Sequence, residues 1–418
     1  MNDRANLAAG HDAPARSERA DFRALWASAS AGYLGVQGAR FVLPLLAAAA
    51  TESAALVAGV AVALSLPWLL VGLPAGALVD RLDRRTVLVA VNALRFAAMA
   101  LVAAAAAVDA STIQVIYAAA LALGVAETFA EPATTTLVPA IVADERLERA
   151  NARLVGSQTF AEVAALPLGG VLAGVALGLA SAASAFCFAV ALAALVLLRG
   201  TFAARREPGR RRMASDIADG LRVLWGNDLL RTIAVMAAVI NACWSAWGAL
   251  LVLYAVAPGP MGLSPFGYGL LLTAGGCGGL LGAFAAGAVQ RRAGRRWAIG
   301  INVVVNAAMF AVTAITANPW LVAPAIVVGD FGGPIWGIAV LSLQARAVPD
   351  ALRGRVASAY RVISFGAMTV GAALGGVAAD AIGIRAVFAG CALLTAALVV
   401  PFARVVTEAA MRGERAGA

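Results

Sequence analysis

Long, uninterrupted apolar stretches constrain the fold of this chain more than any other feature. About twelve of them follow one another between Phe22 and Arg404, separated by short breaks. A transmembrane helix needs about 20 mostly apolar residues, whereas a barrel strand needs only about 10 in an alternating pattern. The continuous stretches therefore predict membrane-spanning helices. The composition agrees, because 62% of the 418 residues are hydrophobic and 13% are charged, against about 25% charged in soluble domains.

The net charge of +9 reflects membrane topology rather than nucleic-acid binding. All 32 basic residues are arginine, and nearly all fall in every second segment between the apolar stretches; the other loops hold only Arg385. Cytoplasmic loops carry such an excess of basic residues. We therefore expect both termini in the cytoplasm and an even number of spans. Abundant Ala and Arg without Lys is typical of a high-GC bacterium, so we expect the inner membrane of a bacterium.

The apolar stretches divide into two groups of six. We predict helices over 22–47, 54–79, 86–107, 112–139, 151–178, 181–203, 229–256, 265–290, 296–317, 319–343, 355–381 and 384–405. The predicted organisation is a cytoplasmic tail (1–21), a six-helix half (22–203), a cytoplasmic loop (204–228), a second six-helix half (229–405) and a cytoplasmic tail (406–418).

An internal repeat relates the two halves. The stretch 76–85 has a counterpart at 287–296, and 142–149 has one at 348–355. In both pairs, the second copy follows the first after nearly the same number of residues. This agreement indicates a duplication of one six-helix unit.

The stretch from Gly76 to Arg85 resembles the loop signature of the major facilitator superfamily, G-x-L-x-D-[RK]-x-G-[RK]-[RK], with Asp83 in place of the later glycine. Asn92-x-x-Arg95 and Leu352-Arg-Gly-Arg355 are similar to the bacterial drug-efflux branch that contains enterobactin exporters and macrolide-efflux proteins. The resemblance implies an all-α membrane fold of twelve helices in two pseudo-symmetric halves. It also implies a monomeric rocker-switch carrier that exports a small molecule in exchange for protons.

The same resemblance implies a cytoplasmic gate in the loop after the second span. Its residues here are Gly76, Asp80, Arg81, Arg84 and Arg85. In the family, the carboxylate at the position of Asp80 meets the N-terminal end of the eleventh span, an interaction that the helix dipole favours.

Two carboxylates on the fourth predicted span are candidates for proton coupling. Glu127 and Glu131 are four residues apart and share a helix face. Two such groups in a low-dielectric cavity disfavour double ionisation, which raises the affinity of one for a proton. The alternative is that Glu131 is a structural partner of the loop arginines or of Arg95.

Asp330, on the tenth span, is the other proton-coupling candidate. It lies between glycines and just before Pro334, where the helix can bend. Its alternatives are a salt bridge or a cap on carbonyls freed by the proline. Arg40, on the first span, is predicted to neutralise Asp330 or Glu127, or to bind an acidic substrate group; alternatively, it snorkels to the interface.

Opposite charges on the fifth and eleventh spans suggest a latch between the halves. Glu162 and Arg361 occupy related positions in the two halves. Their ion pair would close the cytoplasmic side, and we count both residues with the gate.

Aromatic and amide side chains on the first, seventh and tenth spans are predicted to form the substrate pocket. Small-molecule sites combine apolar walls with a few hydrogen-bonding groups. With Arg40, the predicted substrate-binding residues are Tyr33, Gln37, Asn241, Trp244 and Trp336. Alternatively, some of these rings anchor helices at the membrane interface.

The sequence favours a secondary transporter over an enzyme. A chain without Lys has no nucleotide-binding P-loop, so it does not use ATP by that route. The one histidine, His11, lies in the tail, so we expect no metal site and no cofactor. The expected partners are a small-molecule substrate (a drug, antibiotic or siderophore), protons and membrane lipid, with no nucleic acid. The alternatives are a proton-independent or sodium-coupled carrier and a membrane sensor or scaffold that does not transport.

Overall fold

The computed structural model describes residues 3–79, 81–198, 202 and 213–407. Nearly all of these residues are helical, which confirms the predicted all-α fold class. The helices are α1 (Asp3–Ala50), α2 (Ala54–Leu70), α3 (Gly72–Val79), α4 (Arg84–Ala107), α5 (Ile113–Ile141), α6 (Asp144–Val175), α7 (Leu177–Val196), α8 (Met213–Gly226), α9 (Asp228–Ala255), α10 (Pro265–Ile315), α11 (Pro319–Ala347), α12 (Asp350–Ile382), α13 (Ile384–Ala397) and α14 (Val399–Val405).

Each predicted span overlaps one or two of these helices. Among the described residues, ten helices are long and apolar enough to cross a membrane. One of them, α10, contains two predicted spans joined at Gly294, whose φ of 81° breaks the helical geometry. The predicted second span is divided between α2 and α3, and the last between α13 and α14. The chain is therefore a multi-pass membrane protein.

One helix was not predicted. Residues 213–226, within the segment predicted as a loop, form α8. The preceding run of arginines favoured a loop, but Ile217, Leu221 and Leu224 recur at the spacing of one helix face. Asp219 pairs with Arg355 at 3.0 Å, which ties α8 to the start of α12.

Two compact units are found. One comprises residues 1–43 and 70–208, and the other comprises 44–69 and 209–418. The units differ from the predicted halves because α2 groups with the C-terminal part of the chain. The halves themselves, which rest on the internal repeat, stay a prediction.

In the first unit, small residues let α1 approach its neighbours closely. A Cβ at Gly35 would overlap the ring of Phe188, and one at Gly38 would meet the Ser184 hydroxyl. Both neighbours lie on α7, so α1 packs along that helix through its glycines. This close approach positions the polar residues of α1 near α4 and α5.

In the second unit, glycines form two close-packed seams. The run 275–279 on α10 and the run 371–376 on α12 have the sequence pattern of close-packing surfaces. A Cβ at Gly278 would overlap the carbonyl oxygen of Val327 on α11, and one at Gly371 would overlap the backbone of Ala242 on α9. The structure confirms that both runs are helix-packing surfaces.

The helix α2 packs in the same unit through aromatic and capping contacts. Trp68 stacks on Phe365 with ring centroids 5.2 Å apart. The carboxylate of Asp380 accepts hydrogen bonds from the Ser53 hydroxyl at 2.7 Å and the Ala54 amide at 2.6 Å. These contacts connect α2 to α12 at the N-terminal end of α2.

Candidate functional site

A buried ion pair lies inside the first unit. Arg95 on α4 donates from Nη2 to Oε2 of Glu127 on α5 at 2.6 Å. The side chains are 6% and 23% exposed. Ionisable residues within membrane spans are costly unless they are paired, so this pair is the strongest candidate for a functional site in this unit.

The surroundings of Arg95 hold its guanidinium in place. The ring of Phe188 lies 5.7 Å from the Arg95 Cζ, which allows a cation–π contact. Gly32 on α1 faces Arg95 and Asn92, since a Cβ built there would lie 3.8 Å from each side chain. Asn92 Oδ1 and Arg95 Nε are buried and lack hydrogen-bond partners in the structure. The site therefore retains hydrogen-bonding capacity beyond the ion pair.

Other predicted residues of the first unit belong to the same polar cluster. Tyr33, half-buried on α1, lies within electrostatic range of Glu127, Glu131 and Arg95. Arg40 is exposed, interacts electrostatically with Arg95, and donates from Nη1 to the Gln37 side-chain oxygen at 3.4 Å. The helices α1 and α5, with Arg95 on α4, thus bring together the polar residues predicted for proton coupling and substrate binding in this unit.

Two predicted pairings differ from the structure. Arg95, which one alternative assigned to Glu131, pairs with Glu127. Glu127, which Arg40 was predicted to neutralise, is already paired by Arg95. The reason is the packing of α4 beside α5, which sets residues 95 and 127 at the same level. Glu131, one turn further along, is exposed and is in none of the ion pairs among described residues.

From sequence, Arg95 served as a family marker and as a possible partner of Glu131, and the pairing of Arg95 with Glu127 was missed. A usable signal was present, because an arginine in the middle of a 24-residue apolar helix requires a buried partner. The following helix offers two carboxylates, Glu127 and Glu131, and the packing of α4 beside α5 selects Glu127.

The second unit contains an aromatic cluster on α9 whose indole N–H groups bind polar side chains of α10. Trp244 and Trp247 on α9 meet edge to face with ring centroids 5.1 Å apart. The Trp244 indole N–H donates to the Asn306 side chain on α10, and Asn306 in turn donates to Asn302 Oδ1 at 2.9 Å. The Trp247 indole N–H donates to Thr313 Oγ1 at 3.2 Å. The rings thus present apolar faces while their N–H groups are satisfied on α10.

The remaining predicted residues of this unit differ in burial. Trp336 is 8% exposed within the unit's core and donates to the Tyr360 hydroxyl at 3.4 Å. Asn241 is half-buried on α9. Asp330 faces the part of α10 that precedes Gly294, where its carboxylate lies directly against Gly275. Trp336 is therefore part of the core, whereas Asn241 and Trp244 retain partial exposure.

The loop between α3 and α4 is organised by Asp83. Asp83 caps α4 by accepting from the Thr86 N–H at 2.9 Å, and it also accepts from the Phe202 N–H at 2.5 Å. Burial, the largest effect, raises the pKa of Asp83, but the hydrogen bonds from Thr86 and Phe202 and the charge of Arg85 together lower it below its usual value. The residue that replaces the signature glycine thus fixes the loop against the chain that follows α7.

The other predicted gate residues are not all described. Arg84 and Arg85 are half-buried, and Arg85 Nε donates to the Leu195 carbonyl at 3.3 Å. Arg81 is exposed, and a Cβ at Gly76 would meet nothing within 4 Å. Asp80 lies outside the described residues.

The two residues of the predicted latch lie in different units. Glu162 is exposed on α6 and accepts from Gln158 at 3.2 Å, and Arg361 is exposed on α12. The latch itself stays a prediction. Over the described parts of the chain, no group of three or more His, Cys, Asp or Glu side chains could hold a metal ion.

Residues 10–414 match the family described as transmembrane secretion effector. The chain belongs to this family of the major facilitator superfamily. Its membership places the protein among membrane transporters. The match covers both predicted halves and the segment between them.

Curated relatives of this family member are described as the multidrug efflux pump Tap. The protein from Mycolicibacterium fortuitum is 29% identical over 350 residues, which cover 80% of this chain and 83% of the relative. The protein from Mycobacterium tuberculosis H37Rv is 29% identical over 348 residues, which cover 80% and 81% of the two chains.

Solved structures of transporters share the fold. The nucleoside transporter NupG (D323A mutant) matches with a TM-score of 0.77 and 13% identity, covering 91% of this chain and 99% of that chain. A bacterial homologue of the iron transporter ferroportin, in an inward-facing state, matches with a TM-score of 0.67 and 21% identity, covering 93% and 99%.

Proposed function

We propose that this protein exports amphiphilic small molecules across the bacterial inner membrane in exchange for protons. The observation that carries the proposal is the buried pair of Arg95 and Glu127, in a chain whose curated relatives are described as multidrug efflux pumps. The aromatic cluster around Trp244 offers apolar faces suited to a drug, an antibiotic or a siderophore.

Charge balance in the first unit gives a route to coupling. With both carboxylates ionised, the charges of Glu127, Glu131, Arg95 and Arg40 cancel. A proton on Glu127 leaves one net positive charge in a low-dielectric site, which disfavours a bound cation. Proton and substrate then compete for the same site, which is the requirement for exchange. This balance favours cationic or neutral amphiphiles over the acidic substrates that Arg40 alone would suggest.

Transport in this proposal follows alternating access. Two six-helix halves rock around a site near the middle of the membrane. Asp330 is proposed as a second protonation site, and the loop from Gly76 to Arg85 with Glu162 and Arg361 as the cytoplasmic gate. In this proposal the protein acts as a monomer. The distribution of arginine supports the placement of both termini in the cytoplasm.

The test is transport into proteoliposomes that contain a pH-sensitive dye. Under an imposed proton gradient, the wild-type protein should move at least one compound from a panel of lipophilic cations, antibiotics and siderophores while protons flow the opposite way. Glu127→Gln should bind the compound but abolish its proton-driven accumulation.

The control is Glu148→Gln, which changes an exposed residue on α6. It should transport as the wild type does. Transport without proton flux would overturn the proposal in favour of the proton-independent or sodium-coupled carrier. Failure of every compound to move would favour the sensor or scaffold.

A further inference from the structure

A cavity of about 350 Å³ lies in the first unit, apart from the ion pair. It lies between the segment of α1 where the apolar span begins and the first three turns of α6. Its lining residues are Glu18, Arg19, Phe22, Arg23, Val142, Arg146, Arg149, Ala150 and Arg153. We call this site the basic cavity.

The charge of the basic cavity is strongly positive. Five arginines line it, and Glu18 is the one acidic residue among its lining residues. Glu18 is already used, because it pairs with Arg146 at 2.5 Å and accepts from the Ala143 N–H at 3.1 Å. Among the described residues that form the cavity wall, no carboxylate is left for the other four guanidinium groups.

The spacing of these arginines along α1 and α6 lets all of them line the basic cavity. On α6, residues 146, 149, 150 and 153 follow the spacing of a single helix face. On α1, Arg19 and Arg23 are one turn apart and face them from the other wall. The acidic residues Asp144, Glu145 and Glu148 of α6 are exposed and do not line the cavity.

The floor of the cavity is apolar. Phe22 is 8% exposed, and Val142 and Ala150 are buried beside it. An arginine-rich wall above an apolar floor, at the end of two membrane spans, suits a ligand that is anionic at one end and apolar at the other. Basic pockets between spans on the cytoplasmic side bind phospholipid headgroups.

We propose that the basic cavity is a binding site for a phosphate ester, supplied either by the headgroup of an anionic phospholipid or by a soluble phosphate. Guanidinium groups bind phosphate oxygens through paired N–H donors. The apolar floor favours the lipid, because glycerol and the first acyl carbons would lie against it. The site is independent of the proton coupling proposed above.

The test measures lipid binding to the full-length protein in detergent by native mass spectrometry. Phosphatidylglycerol is titrated against the wild type and against the double variant Arg149→Gln/Arg153→Gln, with zwitterionic phosphatidylcholine as the neutral comparison. Both arginines are exposed, so the variant should fold; its elution in size-exclusion chromatography checks this. We expect the variant to bind phosphatidylglycerol about thirtyfold more weakly, with little change for phosphatidylcholine.

The control removes two charges elsewhere. Arg291→Gln/Arg292→Gln changes exposed residues of α10 outside the cavity and should bind phosphatidylglycerol within about twofold of the wild type. Arg23→Gln, which changes the α1 side of the cavity, should also weaken the binding of phosphatidylglycerol.

Competition distinguishes the two sources. If inorganic phosphate or glycerol 3-phosphate displaces phosphatidylglycerol at comparable concentration, the ligand is a soluble phosphate; if neither does, it is the lipid. Unchanged phosphatidylglycerol binding by the cavity variants, or an equal loss in the control, would overturn the proposal.

Discussion

At the scale of single residues, the pair of Arg95 and Glu127 is the feature on which the account depends. Each charge is held in an apolar layer by the other, with Phe188 against the guanidinium. Removing one member leaves an uncompensated buried charge, which costs more than the pair itself contributes. The energetic cost of the pair therefore indicates a role beyond stability.

Arg95→Gln should lower the free energy of unfolding in detergent by about 3 kcal/mol, because Glu127 then loses the partner that compensates its buried charge. The measurement is reversible unfolding in mixed micelles. Arg95→Gln combined with Glu127→Gln should be less destabilised than Arg95→Gln alone, since no uncompensated charge remains.

A matched control is available for this prediction. Arg231 pairs with Asp228 at 2.7 Å, but the side chains are 44% and 78% exposed. Arg231→Gln should therefore cost less than about 1 kcal/mol. If Arg231→Gln and Arg95→Gln lower the free energy of unfolding equally, burial does not raise the cost of breaking the Arg95 pair.

At the scale of helices, close packing of α10 on α11 depends on glycine at particular positions. A Cβ at Gly278 would overlap the backbone of Val327, whereas one at Gly279 would meet nothing within 4 Å. Backbone atoms cannot rotate away as a side chain can. The two neighbouring glycines thus separate the packing effect of a methyl group from its effect on helix propensity.

Gly278→Ala should destabilise the protein by about 1–3 kcal/mol, because α10 and α11 must separate to admit the methyl group. Gly279→Ala should be neutral or slightly stabilising, since alanine favours the helix over glycine by about 1 kcal/mol. Thermal unfolding in one detergent compares the two variants directly. A Gly278→Ala variant as stable as Gly279→Ala would contradict the seam described here.

The helices also show what the sequence could and could not predict. Apolar length and glycine spacing were sufficient to place the spans and both seams, because these follow from local pattern. The helix α8 was missed, since the adjacent arginines masked its periodicity. The pairing of Arg95 with Glu127 depends on the rotation of α4 against α5, which one helix's sequence does not determine.

At the scale of the whole molecule, the all-helical membrane fold and the superfamily were predictable from sequence, because the long apolar stretches and the loop signature at 76–85 are local patterns that the sequence shows directly. The proposed coupling site was predictable only in part. Glu127 was identified from its place in an apolar span, but its partner and the half-buried position of Tyr33 beside it needed packing information.

The proposed exchange requires that substrate and a proton on Glu127 exclude each other. The most direct measurement is proton release by detergent-solubilised protein in weakly buffered solution with a pH indicator, started at a pH acidic enough to protonate Glu127, as a transported compound is added. The wild type and Glu148→Gln should release protons, and Glu127→Gln should release none at saturating compound. Equal proton release by Glu127→Gln and the wild type would contradict the proposed exchange.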